Sequence, residues 1–83
     1  DHLFKKVIGL ADEGDINGAE NELLMNMEDD DPDYLELALT FYLYLNDMDG
    51  DYLDDHGYSR EEVLDGVKSL AEDWGVTGLE TLV

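Results

Sequence analysis

One long apolar stretch, between Asp31 and Asn46, constrains the fold of this chain more than any other feature. Acidic residues border it on both sides, and its apolar residues satisfy two different periodicities. With a period of two residues, as in a half-buried strand, one face would carry Leu35, Leu37, Leu39, Phe41, Leu43 and Leu45. With the helical period, one stripe would carry Leu35, Ala38, Leu39, Tyr42 and Leu45, widened by Tyr34, Leu37, Phe41 and Tyr44.

The residues at the start of this stretch favour the helix. Asp31 is a suitable N-cap, because its carboxylate can accept a hydrogen bond from a free backbone N–H, and Pro32 has no N–H to lose at the first helical position. The aliphatic residues are leucines and alanine, which form helices well. No other segment resembles a strand that could pair with this one, and an unpaired strand is not stable. We therefore predict a central helix that is apolar on nearly all sides.

Helical spacing of apolar residues also occurs before the central stretch. A first helix is predicted from Leu3 to Ala11, with Gly14 closing it. Asp15 is a candidate N-cap for a second helix. The short joint between the two helices predicts an antiparallel hairpin. The inner face of the second helix would carry Ile16, Ala19, Leu23, Leu24 and Met27, and Asn17, Glu20, Asn21 and Glu28 would lie mostly outside it.

The C-terminal part predicts one more helix and a short turn. Ser59-Arg-Glu-Glu62 has the form of a capping box, and Gly75 would end the helix that follows it. A weaker capping box at 77–80 would open a final helical turn. The segment 47–58 is the longest one without regular structure. The predicted fold class is all-α, a small compact bundle of four helices plus a short C-terminal helical turn, forming a single acidic helical domain over residues 1–83.

The charge is the most informative property for function. The chain has 23 Asp and Glu against 4 Lys and Arg, a formal net charge of −19. Between Glu28 and Asp55 there are eleven acids and no Lys or Arg. This charge excludes nucleic acid and anionic membranes as direct partners and favours a basic protein surface. With 43% hydrophobic residues the chain is able to fold, and the absence of cysteine and of a signal-peptide pattern leads us to expect a cytoplasmic protein.

No catalytic, cofactor or metal motif is recognisable. Asp47, Asp49 and Asp51 alternate as at the start of a calcium-binding loop, but Tyr52 stands where that loop needs glycine and Tyr58 where it needs glutamate. We therefore expect only weak, diffuse calcium binding. His56 has no convergent partner, Ser59 is explained as a helix cap and Trp74 as a core residue. We expect no enzyme, no cofactor and no metal site.

The first functional hypothesis is an acidic inhibitor that mimics nucleic acid and blocks a DNA- or RNA-binding protein. Rows of carboxylates on helices can present a field comparable to that of a phosphate backbone. In charge, size and helicity the chain is similar to phage-encoded inhibitors of host restriction and defence systems. The predicted contact residues are Asp29, Asp30, Asp31, Asp33, Glu36, Asp47, Asp49, Asp51, Asp54 and Asp55.

The second hypothesis is a helical interaction module in which the charge serves solubility and steering. Its contact residues would be Tyr42 and Tyr44 of the central helix, which would dock on a partner or on a second copy of the chain. Two weaker alternatives are a salt-adapted protein and a small enzyme.

Overall fold

The structure is a computed structural model that describes residues 2–28 and 31–83. The described residues contain five α-helices, one 3₁₀ helix and no strand, which confirms the predicted all-α bundle. The helices are α1 (His2–Asp12), α2 (Ile16–Met25), α3 (Pro32–Asn46), α4 (Gly50–Asp55) and α5 (Arg60–Trp74), followed by the 3₁₀ helix at Leu79–Leu82.

The central stretch forms α3, as its start signal predicts. The carboxylate of Asp31 accepts a hydrogen bond from the backbone N–H of Asp33 at 2.9 Å, and Pro32 occupies the first turn. The helical period is the one that operates here, because the buried residues Tyr34, Ala38, Phe41, Tyr42 and Leu45 follow it. The leucines at 35, 37 and 39 are only partly buried, although the strand interpretation would have placed them in the core.

The helix α4 lies inside the segment 47–58 that we predicted to be irregular. That prediction was wrong, for a local reason and a tertiary one. Asp49 caps α4 by accepting a hydrogen bond from the N–H of Asp51 at 2.9 Å. Leu53 is fully buried and fixes the short helix to the core. A helix of six residues is too short to display a periodic apolar pattern, so its sequence gave no strong signal.

The four longer helices, α1, α2, α3 and α5, alternate in direction, as specific contacts between them show. Gly14, with φ of 92°, forms the turn between α1 and α2, which pack as the predicted antiparallel hairpin. The first turn of α3 meets the last turn of α5, where the rings of Tyr34 and Trp74 stack with centroids 6.5 Å apart. Tyr34 bonds to Leu23 and Tyr42 bonds to Glu20, so α3 runs opposite to α2 as well as to α5.

One continuous core joins all five α-helices. Its largest fully buried side chains are Val7, Ile16, Leu23, Phe41, Leu45, Leu53, Val63 and Val67.

The helix α5 begins at the predicted cap, since Ser59 Oγ accepts from the N–H of Glu62, and it ends at Gly75 in the left-handed region with φ of 64°. The final 3₁₀ helix has no side-chain cap, so the predicted second capping box does not form.

Candidate interaction surfaces

The hydroxyls of all five tyrosines donate to the α1–α2 hairpin. Every one of these tyrosines lies in α3, in α4 or just before α5, so each bond crosses between distant parts of the chain. The pairs are Tyr34 with the carbonyl of Leu23 (2.8 Å), Tyr42 with Glu20 (2.7 Å), Tyr44 with Asp12, Tyr52 with the carbonyl of Ala11 (3.1 Å) and Tyr58 with Glu20 (3.1 Å). The tyrosines therefore hold the bundle together.

This arrangement corrects one predicted partner contact. Tyr42 is only 3% exposed, so its ring belongs to the core and is not presented to a partner. The helical pattern placed it on the apolar stripe, and that part of the prediction describes its position correctly. Tyr44 is 37% exposed and keeps a surface-accessible ring, although its hydroxyl is bound to Asp12.

Glu20 receives two of the tyrosine hydroxyls on a single oxygen. Its Oε2 accepts from Tyr42 and from Tyr58, although the sequence placed Glu20 mostly outside the inner face of its helix. Burial raises the pKa of both tyrosines well above its usual range, and the adjacent Glu20 carboxylate raises it further. Both phenols therefore remain neutral donors, and a partly buried carboxylate is held in a fixed position.

The acids of the α1–α2 turn and those of α4 form one surface, which we call the acidic pole. Its members are Asp12, Glu13, Asp15, Asp51, Asp54 and Asp55, all of them exposed. The turn and α4 are joined by the bond from Tyr52 to Ala11, by the bond from Asn17 Nδ2 to the carbonyl of Gly57 (3.1 Å), and by the ring of His56. A Cβ at position 14 would lie 2.5 Å from Cδ2 of His56, so only glycine fits there.

The predicted acidic contact residues have several different positions. Asp54 and Asp55 lie in the acidic pole with Asp51, and Asp33 and Glu36 are exposed at the opposite end of α3. Asp31 and Asp49 are N-caps, so their carboxylates are already engaged with backbone N–H groups, and Asp47 follows the last residue of α3. Asp29 and Asp30 lie outside the described residues.

The basic residues leave the acidic pole without a neutralising partner. Within residues 2–28 and 31–83 the one ion pair joins Lys6 to Glu22 at 2.9 Å, on the hairpin. Arg60 is close in sequence to α4, but its guanidinium donates to the backbone carbonyls of Asn46 and Met48, at 2.7 Å each. It thus satisfies the carbonyl of Asn46, the last residue of α3, which has no partner within the helix, and the carbonyl of Met48 in the connection to α4.

A groove separates α2 from α5 and has α3 as its floor; we call it the α2–α5 groove. It has a volume of about 270 Å³. Its lining is Glu20, Leu23, Leu24 and Met27 from the α2 side, Tyr34, Ala38 and Tyr42 from α3, and Glu62, Asp65, Gly66, Ser69, Leu70 and Asp73 from α5. The lining combines an apolar interior with four acids and contains no Lys, Arg or His.

Two further features concern metals and membranes. Among the described residues, no group of three or more His, Cys, Asp or Glu comes together as metal ligands. His56 Nδ1 forms a hydrogen bond with the carbonyl oxygen of Tyr52 at 2.7 Å, and the two rings pack against each other. Within residues 2–28 and 31–83, no helix is both long enough and apolar enough to cross a membrane.

Comparison with known proteins places the chain in a family. Residues 1–75 match a family described as a family of unknown function, DUF6483. The chain belongs to DUF6483. No curated protein and no solved structure matches it.

Sequence reasoning missed three features of this DUF6483 protein, namely the anchoring role of Glu20, the contribution of the α1–α2 turn to the acidic pole, and the α2–α5 groove. All three depend on contacts between residues far apart in the chain. One signal was present: Gly66 interrupts a strong helical pattern, and a glycine inside a helix costs about 1 kcal/mol relative to alanine. Such a glycine indicates that another group approaches closely, and here that group is the ring of Tyr42.

Proposed function

We propose that this protein is an acidic inhibitor that binds the basic surface of a nucleic-acid-binding protein and competes there with DNA or RNA. The contact surface is the acidic pole together with Asp33 and Glu36 in the first turns of α3. The observation that carries the proposal is that these carboxylates are exposed and have no basic partner among the described residues.

The use of Arg60 supports this proposal in particular. A chain with 23 acids would gain from placing its single arginine against carboxylates. Instead the guanidinium is bound to two backbone carbonyls, so it forms no ion pair with the acids of α4 and these acids remain available to a partner. Their negative field attracts a basic partner, accelerates association, and loses its effect as salt is added.

The spacing of the acids also suits a surface built for nucleic acid. The helix α3 has 15 residues and therefore separates its two acidic ends by about 22 Å. Duplex DNA carries one negative charge for about every 1.7 Å of its axis, so a binding site for it extends basic groups over similar distances. The tyrosine tethers make the spacing rigid, and rigidity reduces the entropic cost of binding.

The test begins with the whole protein as bait in a lysate, at low and at high salt, with bound proteins identified by mass spectrometry. Recovered proteins should be released by added duplex DNA or by RNA, because the bait and the nucleic acid would compete for one site on the recovered protein. Recovery that is unaffected by nucleic acid at a concentration that saturates the partner would contradict mimicry.

Matched charge-neutralised variants then locate the surface. The test pair is Asp54→Asn with Asp55→Asn, and the control pair is Glu72→Gln with Glu80→Gln, which changes the charge equally at a surface near the C-terminus. The caps Asp31 and Asp49 are left intact so that folding is not disturbed. The test pair should weaken binding to the identified partner and reduce its salt dependence. Equal effects of the two pairs would mean that the acidic pole is not the contact surface.

A further inference from the structure

The α2–α5 groove has the chemistry of a binding site for a charged, amphipathic segment. Leu24 is 48% exposed at its edge, Met27 is partly exposed, and the buried side chains of Leu23, Ala38 and Leu70 lie beneath them. Glu20, Glu62, Asp65 and Asp73 are distributed along the same groove. Solvent contact of apolar side chains is unfavourable, and four carboxylates without a base favour a cationic occupant.

We propose that the α2–α5 groove binds a basic amphipathic helix of a partner protein. The apolar face of that helix packs on Leu24 and Met27, and its Lys or Arg side chains pair with the four acids. This inference goes beyond the proposed function, because the groove shares no residue with the acidic pole.

The geometry of the groove favours a helix over an extended strand. Its walls are helices whose backbone N–H and C=O groups are bonded internally, so a strand would find no backbone partners there. An amphipathic helix in a groove needs only apolar anchors at i, i+3, i+4 and i+7. From Glu62 to Asp73 the wall formed by α5 extends about 16 Å, which matches three turns of helix.

Charge excludes a second copy of this chain as the favoured occupant. Each copy has a formal net charge of −19, so two copies repel each other as they approach. Like charges placed opposite one another oppose association.

Glu20 gives the groove a carboxylate that is already positioned. Its Oε2 is held by the hydroxyls of Tyr42 and Tyr58, and its Oε1 accepts no hydrogen bond from the described residues. A carboxylate fixed in this way loses little conformational freedom when a guanidinium or ammonium group binds to it. We therefore expect a Lys or Arg of the partner helix near the start of α5, where Glu20 and Glu62 both line the groove.

The experiment uses a labelled synthetic peptide of about 14 residues, four helical turns, with leucines on one face and lysines elsewhere. A control peptide of equal charge has serine at every leucine position. Fluorescence anisotropy measures the dissociation constant of each with the whole protein. The leucine peptide should bind at least tenfold more tightly, and amide NMR shifts should map it to the groove. Equal affinities of the two peptides would overturn the groove proposal.

Two neighbouring residues provide a matched pair of variants. Leu24 lines the groove, whereas Met25 is 80% exposed and does not line it. Leu24→Ser should raise the dissociation constant of the leucine peptide by about tenfold, the equivalent of 1.4 kcal/mol, and Met25→Ser should leave this constant unchanged. Melting temperatures of both variants check that the fold is intact. If the Leu24→Ser variant binds the leucine peptide as tightly as the wild type does, the groove is not the binding site of the peptide.

The outcomes separate this inference from the proposed function. If Asp54→Asn with Asp55→Asn abolishes peptide binding and Leu24→Ser does not, the acidic pole is the binding surface and the groove proposal fails alone. If the peptide binds the groove while partners from lysate are unaffected by nucleic acid, the groove proposal stands and mimicry of nucleic acid fails.

Discussion

The hydroxyl of Tyr42 donates to Oε2 of Glu20 at 2.7 Å, and the ring of Tyr42 packs against α5 at Gly66, the one glycine of that helix. A Cβ at position 66 would lie 2.5 Å from Cζ of Tyr42, so an alanine there would collide with the ring. The tyrosine, the glutamate and the glycine belong to α3, α2 and α5, and together they determine how these three helices pack.

The Glu20–Tyr42 bond is expected to contribute measurably to stability. Replacement of Glu20 by alanine leaves the hydroxyls of Tyr42 and Tyr58 without their acceptor, and each unsatisfied buried group costs about 1–3 kcal/mol. A double-mutant cycle of Glu20→Ala with Tyr42→Phe, followed by urea denaturation, should give a coupling energy of about 1–2 kcal/mol. The exposed pair Lys6–Glu22 serves as the control and should give less than about 1 kcal/mol. A coupling near zero for Glu20 and Tyr42 would contradict the tether.

Alanine substitution of two helical glycines should have opposite effects. At Gly9, in α1, an added Cβ meets nothing within 4 Å, so Gly9→Ala should stabilise the protein by up to about 1 kcal/mol. Gly66→Ala should destabilise it by about 1–3 kcal/mol, because overpacking of the Tyr42 ring outweighs the gain in helix propensity. Thermal denaturation of both variants measures the difference. A stabilising Gly66→Ala would mean that the ring can move aside at little cost.

Removal of Arg60 should destabilise the C-terminal end of α3. The Arg60→Ala variant loses two charge-assisted hydrogen bonds to the carbonyls of Asn46 and Met48, at an expected cost of about 1–2 kcal/mol. Lys68→Ala removes the same charge from an exposed site and should have a small effect. Hydrogen exchange should become faster around residues 46–48 in the first variant alone. Equal exchange in the two variants would assign the effect to net charge.

Alkaline pH should unfold the protein through its tyrosines. The pKa of Tyr42 and Tyr58 is raised by burial and that of Tyr44 chiefly by its hydrogen bond to Asp12, from the ordinary value of 10.0. Above pH 10 the unfolded chain releases these protons and the folded protein keeps them, so the unfolded state binds fewer protons and stability falls as pH rises. Below pH 10 the contribution is fully present.

Two signals recorded in the same titration test this expectation. Tyrosinate absorbance and the loss of helical circular dichroism should rise together above pH 10. The Tyr42→Phe variant should lose stability less steeply over that range. Ionisation of all five tyrosines while the helical signal is retained would contradict it.

Added sodium chloride should raise the melting temperature. The 23 acids repel one another in the folded protein, and salt at 0.1 M limits such repulsion to about 10 Å. Asp54→Asn with Asp55→Asn should raise stability at low salt and reduce the response to salt, because both acids also oppose the dipole at the C-terminal end of α4. A melting temperature that is constant or falls between low and moderate salt would argue against strong self-repulsion.

The sequence by itself determined the helices whose signals are local. Asp31 with Pro32, Asp15 and Ser59 begin α3, α2 and α5 as predicted, because a cap bonds to a backbone group two or three residues away. Apolar residues at helical spacing identified most of each core face for the same reason, since they are neighbours on one helix. Leu24 is the exception in α2, because it was placed on the inner face and is 48% exposed, and Leu35 and Leu39 of α3 are only partly buried. The short helix α4 was missed because six residues provide no repeated pattern.

Only the tertiary structure decided where the long side chains bind. The same pattern that placed Tyr42 on a buried stripe could not indicate that its hydroxyl meets Glu20, 22 residues away in the chain. Nor could it indicate that Arg60 turns to the carbonyls of α3, or that the acids near Gly14 join those of α4. A tyrosine or an arginine reaches several ångströms beyond its own helix. Its partner therefore depends on the packing of the helices, which local sequence does not encode.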